Sequence, residues 1–461
     1  MRVLQHPLPG PPRLAEGAFS IRIGVVVCGT GSRSDPMRMQ GVMTKWIVMA
    51  ALVGSGVSAP LVAWAVEPLP AEAAAVAMVK ARGGSVDYGA EGKTTKVDLS
   101  GRPATDADIV VLQSLPGLES LEIWGAEVSN AGMPALAKLG SLKTLVLENT
   151  DVTDAGLAPL VALGNLKVLN LRRSSNMSDA ALETVARMKG LEQLVLLYNN
   201  FTDAGLAHLA PLSKLRVLDL RGCSLVTDAG IEHVAKMPSL ERVKLRCPSV
   251  SDRGLRMLAD LPKLRGFAVE DGQVSDSGLE PFAAKTEIDE MNVMRTFIGG
   301  KGLAHVAGLK KLKRLELRGT LINDSALTAI SGLENLVLLD LAETKIGDAG
   351  VGHLRGLSKL ADLDLWDTRV GDAGMEAIGS LESLTKLSLK NSRVTDSGIA
   401  ELAGLSKLAT LDLAGTKIGD GVFETLGKLP ALKAVDLSFT NLSDASVAAY
   451  RAAHPSVKLT R

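Results

Sequence analysis

Residues 142–165 read LKTLVLENTDVTDAGLAPLVALGN, and nearly everything after residue 93 is a variation on this stretch. In its first half, Leu145 and Leu147 alternate with other residues, which predicts a short strand with one buried face. In its second half, Leu157 and Leu160 are three residues apart, which predicts a helical segment with one apolar side. One unit therefore combines a strand with a helical segment.

The stretch recurs along the chain at an almost constant period. Counting from the first leucine of each unit, called position zero, twelve of the fourteen spacings are 24 residues and two are 25. So constant a period over so many units indicates a repeat solenoid, because a single globular core does not produce it. The fifteen units start at Thr94, Leu118, Leu142, Leu166, Leu191, Leu215, Leu240, Leu264, Ile288, Leu312, Leu336, Leu360, Leu384, Leu408 and Leu432.

An aspartate stands near position twelve of almost every unit. It is present in thirteen of the fifteen units, and Asn130 and Gly300 replace it in the other two. In residues 142–165 this residue is Asp154, just before the predicted helical segment. There its carboxylate would accept from the free N–H groups of its own helix and interact favourably with the helix dipole. We interpret the column as structural rather than catalytic, and we expect a bend or soft point at Gly300.

Position eight usually holds a small polar residue at the turn from strand to helix. Its side chain is expected to bind turn backbone groups of its own unit and of the neighbouring unit, which would give a polar ladder along the solenoid. The residues concerned are Thr150, Ser174, Asn199, Thr296, Thr320, Thr344, Thr368, Ser392, Thr416 and Thr440.

The pattern L-x-x-L-x-L-x-x-T-x-V-T-D-x-G-L-x-x-L closely resembles the leucine-rich repeat family. Its threonine and its T-D-x-G-L tail are similar to the ribonuclease-inhibitor-like and F-box-type variants and to repeats of exported bacterial proteins. The resemblance covers about residues 94–459. It implies an α/β solenoid in the shape of an arc or horseshoe, with parallel strands on the concave side and helical turns on the convex side. The sequence shows no F-box or other effector domain, so roles that need one are not expected.

The segment before the repeats predicts export. We expect residues 1–36 to be a non-native or disordered leader, with translation starting at Met37, Met39 or Met43. Residues 37–65 have the basic start, apolar centre and small-x-small end of a signal peptide. The alternative is an uncleaved membrane anchor, because residues 46–66 are mostly apolar. Both interpretations place the repeats outside the cytoplasm, in the periplasm, at the cell surface or in the medium.

The two ends of a solenoid need caps, since their last cross-sections would otherwise be exposed. We expect residues 66–93 to form the N-terminal cap, with a helix over residues 70–82 and a strand at residues 86–88. The repeats then occupy residues 94–445. Residues 446–461 are expected to form the C-terminal cap, with a helix over residues 446–453 and a last strand at residues 457–459.

Composition and charge argue against several classes of partner. The formal net charge is zero, and it falls to about −4 without residues 1–65, which carry six Lys/Arg and two Asp/Glu. Bulk charge would therefore not drive binding to nucleic acid or to an anionic membrane. A membrane is expected as a partner only if the signal stays uncleaved, and we expect a monomer.

The sequence contains no recognisable catalytic, metal or cofactor motif. G-x-S-x-G, H-E-x-x-H and C-x-x-C are absent, so we predict no catalytic residues, no metal and no cofactor. Cys223 and Cys247 lie in adjacent units, which leaves open a disulfide, although their different positions in the unit favour two free thiols. The residues His208, His233, His305 and His353 share one convex column without a third convergent ligand, which favours surface histidines.

Positions two, four and six are expected to point outward from the strands and to form a concave binding face. On it we predict a basic patch with an apolar spot inside it, and further along an acidic patch with one exposed ring. Exposed aromatic and arginine side chains are typical of binding hot spots. The predicted partner-binding residues are Arg172, Arg221, Arg242, Lys244 and Arg246, then Val195, Leu197 and Tyr198, and finally Asp340, Asp364 and Trp366.

These observations favour a noncatalytic scaffold that binds a protein, or else a polysaccharide, along its concave face. One alternative is a hydrolase-type enzyme with an unrecognised site, which would need clustered carboxyl or other groups with shifted pKa values in a pocket. A third is a membrane-anchored spacer whose faces bind nothing.

Overall fold

The structure is a computed structural model, and it describes residues 69–461. The predicted leader, the signal peptide or anchor and the first residues of the predicted N-terminal cap lie outside these residues. The described part begins with a helix, Ala73–Ala81, followed by strand β1 (Ser85–Tyr88). Glu72 ties this segment to the first repeat, because its buried carboxylate accepts from the Thr94 N–H at 2.8 Å.

One strand from each repeat joins a single open sheet. Neighbouring strands from β2 onward pair in parallel, whereas β1 pairs with β2 in antiparallel orientation at the N-terminal end. The strands are β2 (Thr94–Pro103), β3 (Ser120–Trp124), β4 (Thr144–Glu148), β5 (Val168–Asn170), β6 (Gln193–Val195), β7 (Val217–Arg221), β8 (Arg242–Arg246), β9 (Gly266–Val269), β10 (Glu290–Asn292), β11 (Arg314–Glu316), β12 (Leu338–Asp340), β13 (Asp362–Asp364), β14 (Lys386–Ser388), β15 (Thr410–Asp412), β16 (Ala434–Asp436) and β17 (Lys458–Thr460). The last strand, β17, continues the parallel ladder.

Short helical segments alternate with these strands. The α-helices are Asp106–Leu112, Met133–Leu136, Asp179–Val185, Asp203–Ala207, Asp228–Val234, Asp252–Leu258, Gly300–Ala304, Asp348–Val351, Asp372–Gly379, Asp396–Ile399, Val422–Leu426 and Asp444–Ala453. The 3₁₀ segments are Ala90–Gly92, Asp154–Ala162, Asp276–Gly278, Glu280–Ala284, Asp324–Ile330, Gly352–Leu354 and Ala400–Gly404. The mixture follows from a connection that is only about two turns long, because short helical pieces readily tighten to the 3₁₀ form.

The core runs between the sheet and the helical segments as one continuous apolar layer. Leu145 and Leu147 of the strand and Leu157 and Leu160 of the helical segment are all fully buried, as the sequence pattern predicts. Equivalent leucines of successive repeats stack on one another. Positions two, four and six therefore lie on the opposite side of the sheet, which we call its outer face.

The aspartate column links neighbouring repeats instead of capping its own helices. Asp154 is the first residue of its helical segment, and Thr153 holds the cap position before it. Its carboxylate accepts from the N–H and the hydroxyl of Ser178, at 2.7 and 2.6 Å, in the next repeat. The prediction that the column is structural is consistent with this geometry, but the predicted bonding within one repeat was wrong. The same link joins Asp106, Asp179, Asp203, Asp228, Asp252, Asp372 and Asp420 to a serine or threonine one repeat further on.

The T-D-x-G motif follows from this link. A Cβ atom at Gly254 would overlap the carboxylate of Asp228 from the preceding repeat, and the same holds for Gly205 against Asp179. Glycine is therefore the usual residue opposite an aspartate, although Ala181 takes this place opposite Asp154.

The column is interrupted at Gly300. The next repeat there offers Asn323, whose own side chain accepts from the Ala326 N–H at 3.3 Å. An alanine, Ala326, also stands where most repeats have glycine, and a Cβ on residue 300 would lie 3.5 Å from its Cβ. Gly300, which replaces the aspartate, therefore lies next to Ala326, which replaces the glycine.

Restoring the link should stabilise the solenoid. Adding Gly300→Asp to an Ala326→Gly background is expected to raise the free energy of unfolding by about 1 to 2 kcal/mol, through a hydrogen bond from the Asn323 N–H to a carboxylate. Denaturant unfolding measures this, with Gly300→Ala in the same background as the control for helix propensity. Equal gains from Ala and Asp would show that no link forms.

Position seven adopts left-handed backbone geometry in fourteen of the fifteen repeats, which the sequence analysis missed. Glycine or asparagine suits this geometry, but Tyr198 (φ 56°) and Phe439 (φ 59°) adopt it as well. The exception is Cys247, which precedes Pro248, and a residue before proline avoids helical geometry. The fold therefore imposes one conformation on this column whatever its side chains are.

Position eight forms a less continuous ladder than predicted. The Thr320 hydroxyl donates to the Leu317 carbonyl of its own turn at 2.6 Å, and the other threonines from 296 onward do the same. Asn199 does reach the neighbouring repeat, because its side chain accepts from the Ser174 N–H and donates to the Leu171 carbonyl, both at 2.8 Å. Most of these residues therefore close their own turn.

Candidate functional site

Residues at the same position of successive repeats are neighbours across the outer face. The strands pair without offset, so that Glu316 faces Asp340, and Asp340 faces Asp364. Parallel strands are about 4.8 Å apart. A side chain on the outer face therefore lies within reach of residues 24 or 25 positions away along the chain. Those neighbours decide whether its charge is paired.

The predicted basic patch is neutralised by carboxylates. Arg221 binds Asp219 of its own strand at 2.8 Å, Arg246 binds Asp271 at 2.5 Å, and Arg172 contacts Glu148. Arg221, Arg242, Lys244 and Arg246 lie on the adjacent strands β7 and β8, and Arg172 lies just after β5, so the predicted basic patch is not a surface of unpaired cations. The sequence analysis overlooked their partners, which are Glu148, Asp219, Glu270, Asp271, Asp289 and Glu290.

One of these ion pairs joins two strands that are separated by a third. The Arg242 guanidinium lies 2.8 Å from Asp289 and 2.9 Å from Glu290, and Lys244 is 3.5 Å from Glu290. Strand β9 lies between them, and its residue at this level is Gly266. A Cβ at Gly266 would overlap the Arg242 side chain, so the missing side chain gives the arginine its path across the sheet.

Asp271 is the centre of the network on this side of the sheet. Arg295 and Arg246 both bind it, and the hydrogen bond from Arg295 is the main cause that holds the pKa of Asp271 below its usual range. Glu270 lies beside it, 3.7 Å from Arg295 and 3.9 Å from Arg221. These contacts fix the side chains in place before any ligand arrives.

The predicted apolar spot consists of one exposed ring. Val195 is only 8% exposed and Leu197 is half-buried, so the expected exposure of Val195 was wrong. Tyr198 is 46% exposed, and the Arg173 guanidinium lies 5.5 Å from its ring centroid. The ring occupies space above Gly222 of the next repeat, where a Cβ would overlap it. Tyr198 is thus an accessible aromatic side chain held by its surroundings.

The predicted acidic patch is also paired. Arg318 lies between Asp340 and Asp364, 3.0 Å from each, and Lys386 is 3.2 Å from Asp362. Asp340 is only 8% exposed, so its predicted availability to a partner was wrong, and its burial raises its pKa. The carboxylates of this patch are therefore largely paired with cations of the protein itself.

Trp366 joins this patch through its ring. Arg318 lies 5.4 Å and Lys390 5.8 Å from the ring centroid, which is the range of cation–π contacts. The indole Nε1 is buried without a hydrogen-bond partner among the described residues. The ring is half-buried, so the structure brings Trp366 together with Asp364 as predicted but leaves less of it accessible than Tyr198.

Two shallow depressions open on the outer face beside these patches. One, of about 250 Å³, is lined by residues that include Arg216, Glu241 and Arg242. The other, of about 120 Å³, contains Glu316 and Asp340, and burial is the main cause that raises the pKa of both. The second depression is the one place where the described residues approach what the hydrolase alternative requires.

Cys223 and Cys247 are free and fully buried. The Cys223 thiol lies 3.0 Å from the Leu196 carbonyl, and the Cys247 thiol 3.4 Å from the Leu220 carbonyl. Burial raises their pKa values to about 11 and about 12. The interpretation as two free thiols is confirmed, and neither is a nucleophile near neutral pH.

Within residues 69–461, no three His, Cys, Asp or Glu side chains are grouped so that they would hold a metal ion. In the same part of the chain, no helix has both the length and the apolar character needed to cross a membrane.

Comparisons with known proteins agree with this architecture. The family model described as Leucine Rich repeat matches residues 212–235, whereas no curated protein matches the chain significantly. An internalin from Listeria monocytogenes is similar in structure, with 24% identity and a TM-score of 0.53 over 76% of this chain and 99% of that one. A leucine-rich repeat protein from Leptospira interrogans has 18% identity and a TM-score of 0.48 over 76% of this chain and 92% of that one. With its repeat of 24 or 25 residues and its parallel ladder of strands, the chain has the leucine-rich repeat fold.

Proposed function

We propose that this protein is a noncatalytic scaffold that binds a protein ligand along the outer face of its sheet, outside the cytoplasm. The observation that carries the proposal is the accessible ring of Tyr198, held against Arg173 at the edge of the outer face, beside side chains that form ion pairs. Rigid aromatic and arginine side chains in such a setting are typical hot spots of binding. Export rests on residues 37–65, and a monomeric state is part of the same proposal.

The ion pairs change how the ligand would be recognised. Because Arg242 and Arg246 already bind carboxylates, an incoming acidic group would have to displace those partners. Complementary charge would therefore orient the ligand, while the buried area at Tyr198 would supply most of the affinity. Reversing the charge of Arg242 would also place a carboxylate beside Asp289 and Glu290, so such a variant would test folding as much as binding.

A more specific test removes one aromatic ring at a time. Tyr198→Ala is expected to weaken ligand binding at least tenfold, since removal of a hot-spot side chain costs about 2 kcal/mol or more. The full chain would be immobilised to capture its ligand from an envelope extract, and the affinity of the captured protein would then be measured. Phe439→Ala is the matched control, because Phe439 is also an exposed ring in left-handed geometry at position seven, 91% exposed and far from Tyr198 in the repeat order.

The outcomes separate the alternatives. Loss with Tyr198→Ala and retention with Phe439→Ala supports the proposal. Equal capture by both variants contradicts the assignment to Tyr198, and Trp366→Ala then tests the second ring. Failure of the unaltered chain to capture any protein favours a polysaccharide ligand or a passive spacer.

The hydrolase remains a separate candidate because of Glu316 and Asp340. Arg318 already bridges Asp340 to Asp364, which gives the buried carboxylate a structural role. A hydrolytic activity lost in Glu316→Gln and retained in Tyr198→Ala would favour the enzyme over the scaffold.

A further inference from the structure

One edge of the solenoid carries a row of cations that the proposed function does not use. Position nine lies in the loop between strand and helical segment, and in four successive repeats it is Lys345, Arg369, Arg393 and Lys417. All four side chains are exposed. The two preceding repeats place Phe297 and Leu321 in the same row, 57% and 55% exposed.

The backbone fixes the spacing of this row. The Arg369 N–H donates to the Ile346 carbonyl of the preceding repeat at 2.8 Å, and Arg393 and Lys417 repeat the contact at 2.8 and 3.1 Å. Such bonds hold the loops at the spacing of parallel strands, about 4.8 Å, so that four cations span about 14 Å. The following residue in each loop is fully buried, which turns position nine towards solvent.

These cations differ from their neighbours in being free. Arg355 and Lys386 in the same repeats bind carboxylates at 3.2 Å. In the part of the chain that the structure describes, no carboxylate lies within 4.0 Å of Lys345, Arg369, Arg393 or Lys417. A row of like charges without partners repels itself, so it favours an external anion.

We propose that this row, with Phe297 and Leu321 at one end, is a binding surface for a linear acidic polysaccharide. Regularly spaced cations fit a chain that carries carboxylates at a regular interval, and a polyuronate carries one on each sugar. The exposed Phe297 ring offers a flat apolar face of the kind that packs on the C–H face of a sugar. This surface is separate from the outer face and does not depend on the proposed function.

The geometry favours a narrow chain over a membrane or an acidic peptide. Two residues before the cations, Glu343 and Asp367 are exposed on the same loops, and a planar anionic membrane would meet them together with the cations. An extended peptide places side chains of one face about 6.6 Å apart, which does not match the row. A thin polymer lying along position nine avoids both conflicts.

Polygalacturonate is the probe for this surface, with the full chain as the protein. Changing Lys345, Arg369, Arg393 and Lys417 together to Gln is expected to weaken binding at least tenfold and to flatten its dependence on salt. The matched control changes Lys214, Lys263, Lys359 and Lys407 to Gln. These four exposed lysines stand in another column, in alternate or more distant repeats, and their loss is expected to change the affinity less than twofold.

Three results would overturn the proposal. Equal loss in both variants would show that only net charge matters. Binding to phosphatidylglycerol vesicles that is stronger than binding to polygalacturonate and is lost in the first variant would assign the row to a membrane. The aspartate column lies three residues further on, so the cations have an alternative role as its countercharge. Lower stability of the first variant in denaturant with unchanged polymer affinity would favour that role.

Discussion

Asp228→Ala is expected to lower the free energy of unfolding by about 3 kcal/mol. The Asp228 carboxylate accepts three hydrogen bonds from the next repeat, from the Ser251 N–H at 2.8 Å, the Ser251 hydroxyl at 2.5 Å and the Gly254 N–H at 3.1 Å. A hydrogen bond to a charged group contributes about 1.5 to 3 kcal/mol, and the donors left behind lose their partner in a part-buried place. Denaturant unfolding followed by circular dichroism measures the change.

Asp444 provides the control that separates the two roles of this column. It occupies the same place at the start of its helix, but its carboxylate contacts Arg461 instead of a serine or threonine one repeat further on, and its side chain is 97% exposed. If the carboxylates act on the next repeat, Asp444→Ala should cost far less than Asp228→Ala. Similar losses in both variants would mean that the effect on the carboxylate's own helix dominates, and the link between repeats would then contribute little.

The link matters more in a solenoid than in a globular domain. Each repeat contacts only its two neighbours, so stability is approximately a sum of repeat terms and interface terms. Weakening the interface at Asp228 is therefore expected to let the two sides unfold separately. A broader or two-step transition in Asp228→Ala, against a single step in the unaltered chain, would reveal this.

The repeat and the fold could be predicted because they depend on local periodicity. Leu145 and Leu147 alternate, Leu157 and Leu160 follow a helical spacing, and each signal is repeated fifteen times. The partner of Asp154 could not be predicted in the same way. A carboxylate at the start of a helix is equally suited to cap its own N–H groups, and only the stacking of repeats shows that it reaches Ser178 instead.

The binding face was harder to predict, because it depends on contacts between strands. Arg242 and Glu290 are 48 residues apart and on strands that do not touch, and they meet only because Gly266 lacks a side chain. Inspecting the cations at positions two, four and six did not reveal their carboxylate partners, several of which stand at positions one, two, six and seven. A comparison of positions six and seven in adjacent repeats would have found Glu148 and Asp271.

The left-handed backbone geometry at position seven could have been predicted from the residue types found there. Position seven is Gly125, Gly222, Gly319 or Gly415 in some repeats and Asn149 or Asn391 in others, and these residues tolerate positive φ. Tyr198 and Phe439 break this preference. A bulky residue at positive φ costs of order 1 kcal/mol, so the stacked repeats impose this geometry at both positions.

The stability of the protein is expected to fall by about 2 to 3 kcal/mol between pH 8 and pH 10 because of Cys223 and Cys247. Unfolded thiols ionise near pH 9.0, whereas burial raises the pKa values of these two to about 11 and about 12 in the folded protein. A group whose pKa is raised by folding contributes stability below its unfolded pKa and loses it as the pH rises towards its folded pKa. Each thiol therefore loses up to about 1.4 kcal/mol for each pH unit above 9.

The double variant Cys223→Ser, Cys247→Ser isolates this term from the titration of lysines and tyrosines, which both proteins share. The hydroxyl of a serine at position 223 is a donor for the Leu196 carbonyl, and Ser174 and Ser392 show that position eight accommodates serine. Serine does not ionise in this range. The unfolding free energies of the two proteins, measured from pH 7 to pH 10, should diverge only above pH 8, with the unaltered chain declining more steeply. Parallel curves would contradict the raised pKa values. Iodoacetamide gives an independent readout, because alkylation of Cys223 and Cys247 at pH 8 should then follow unfolding in denaturant rather than precede it.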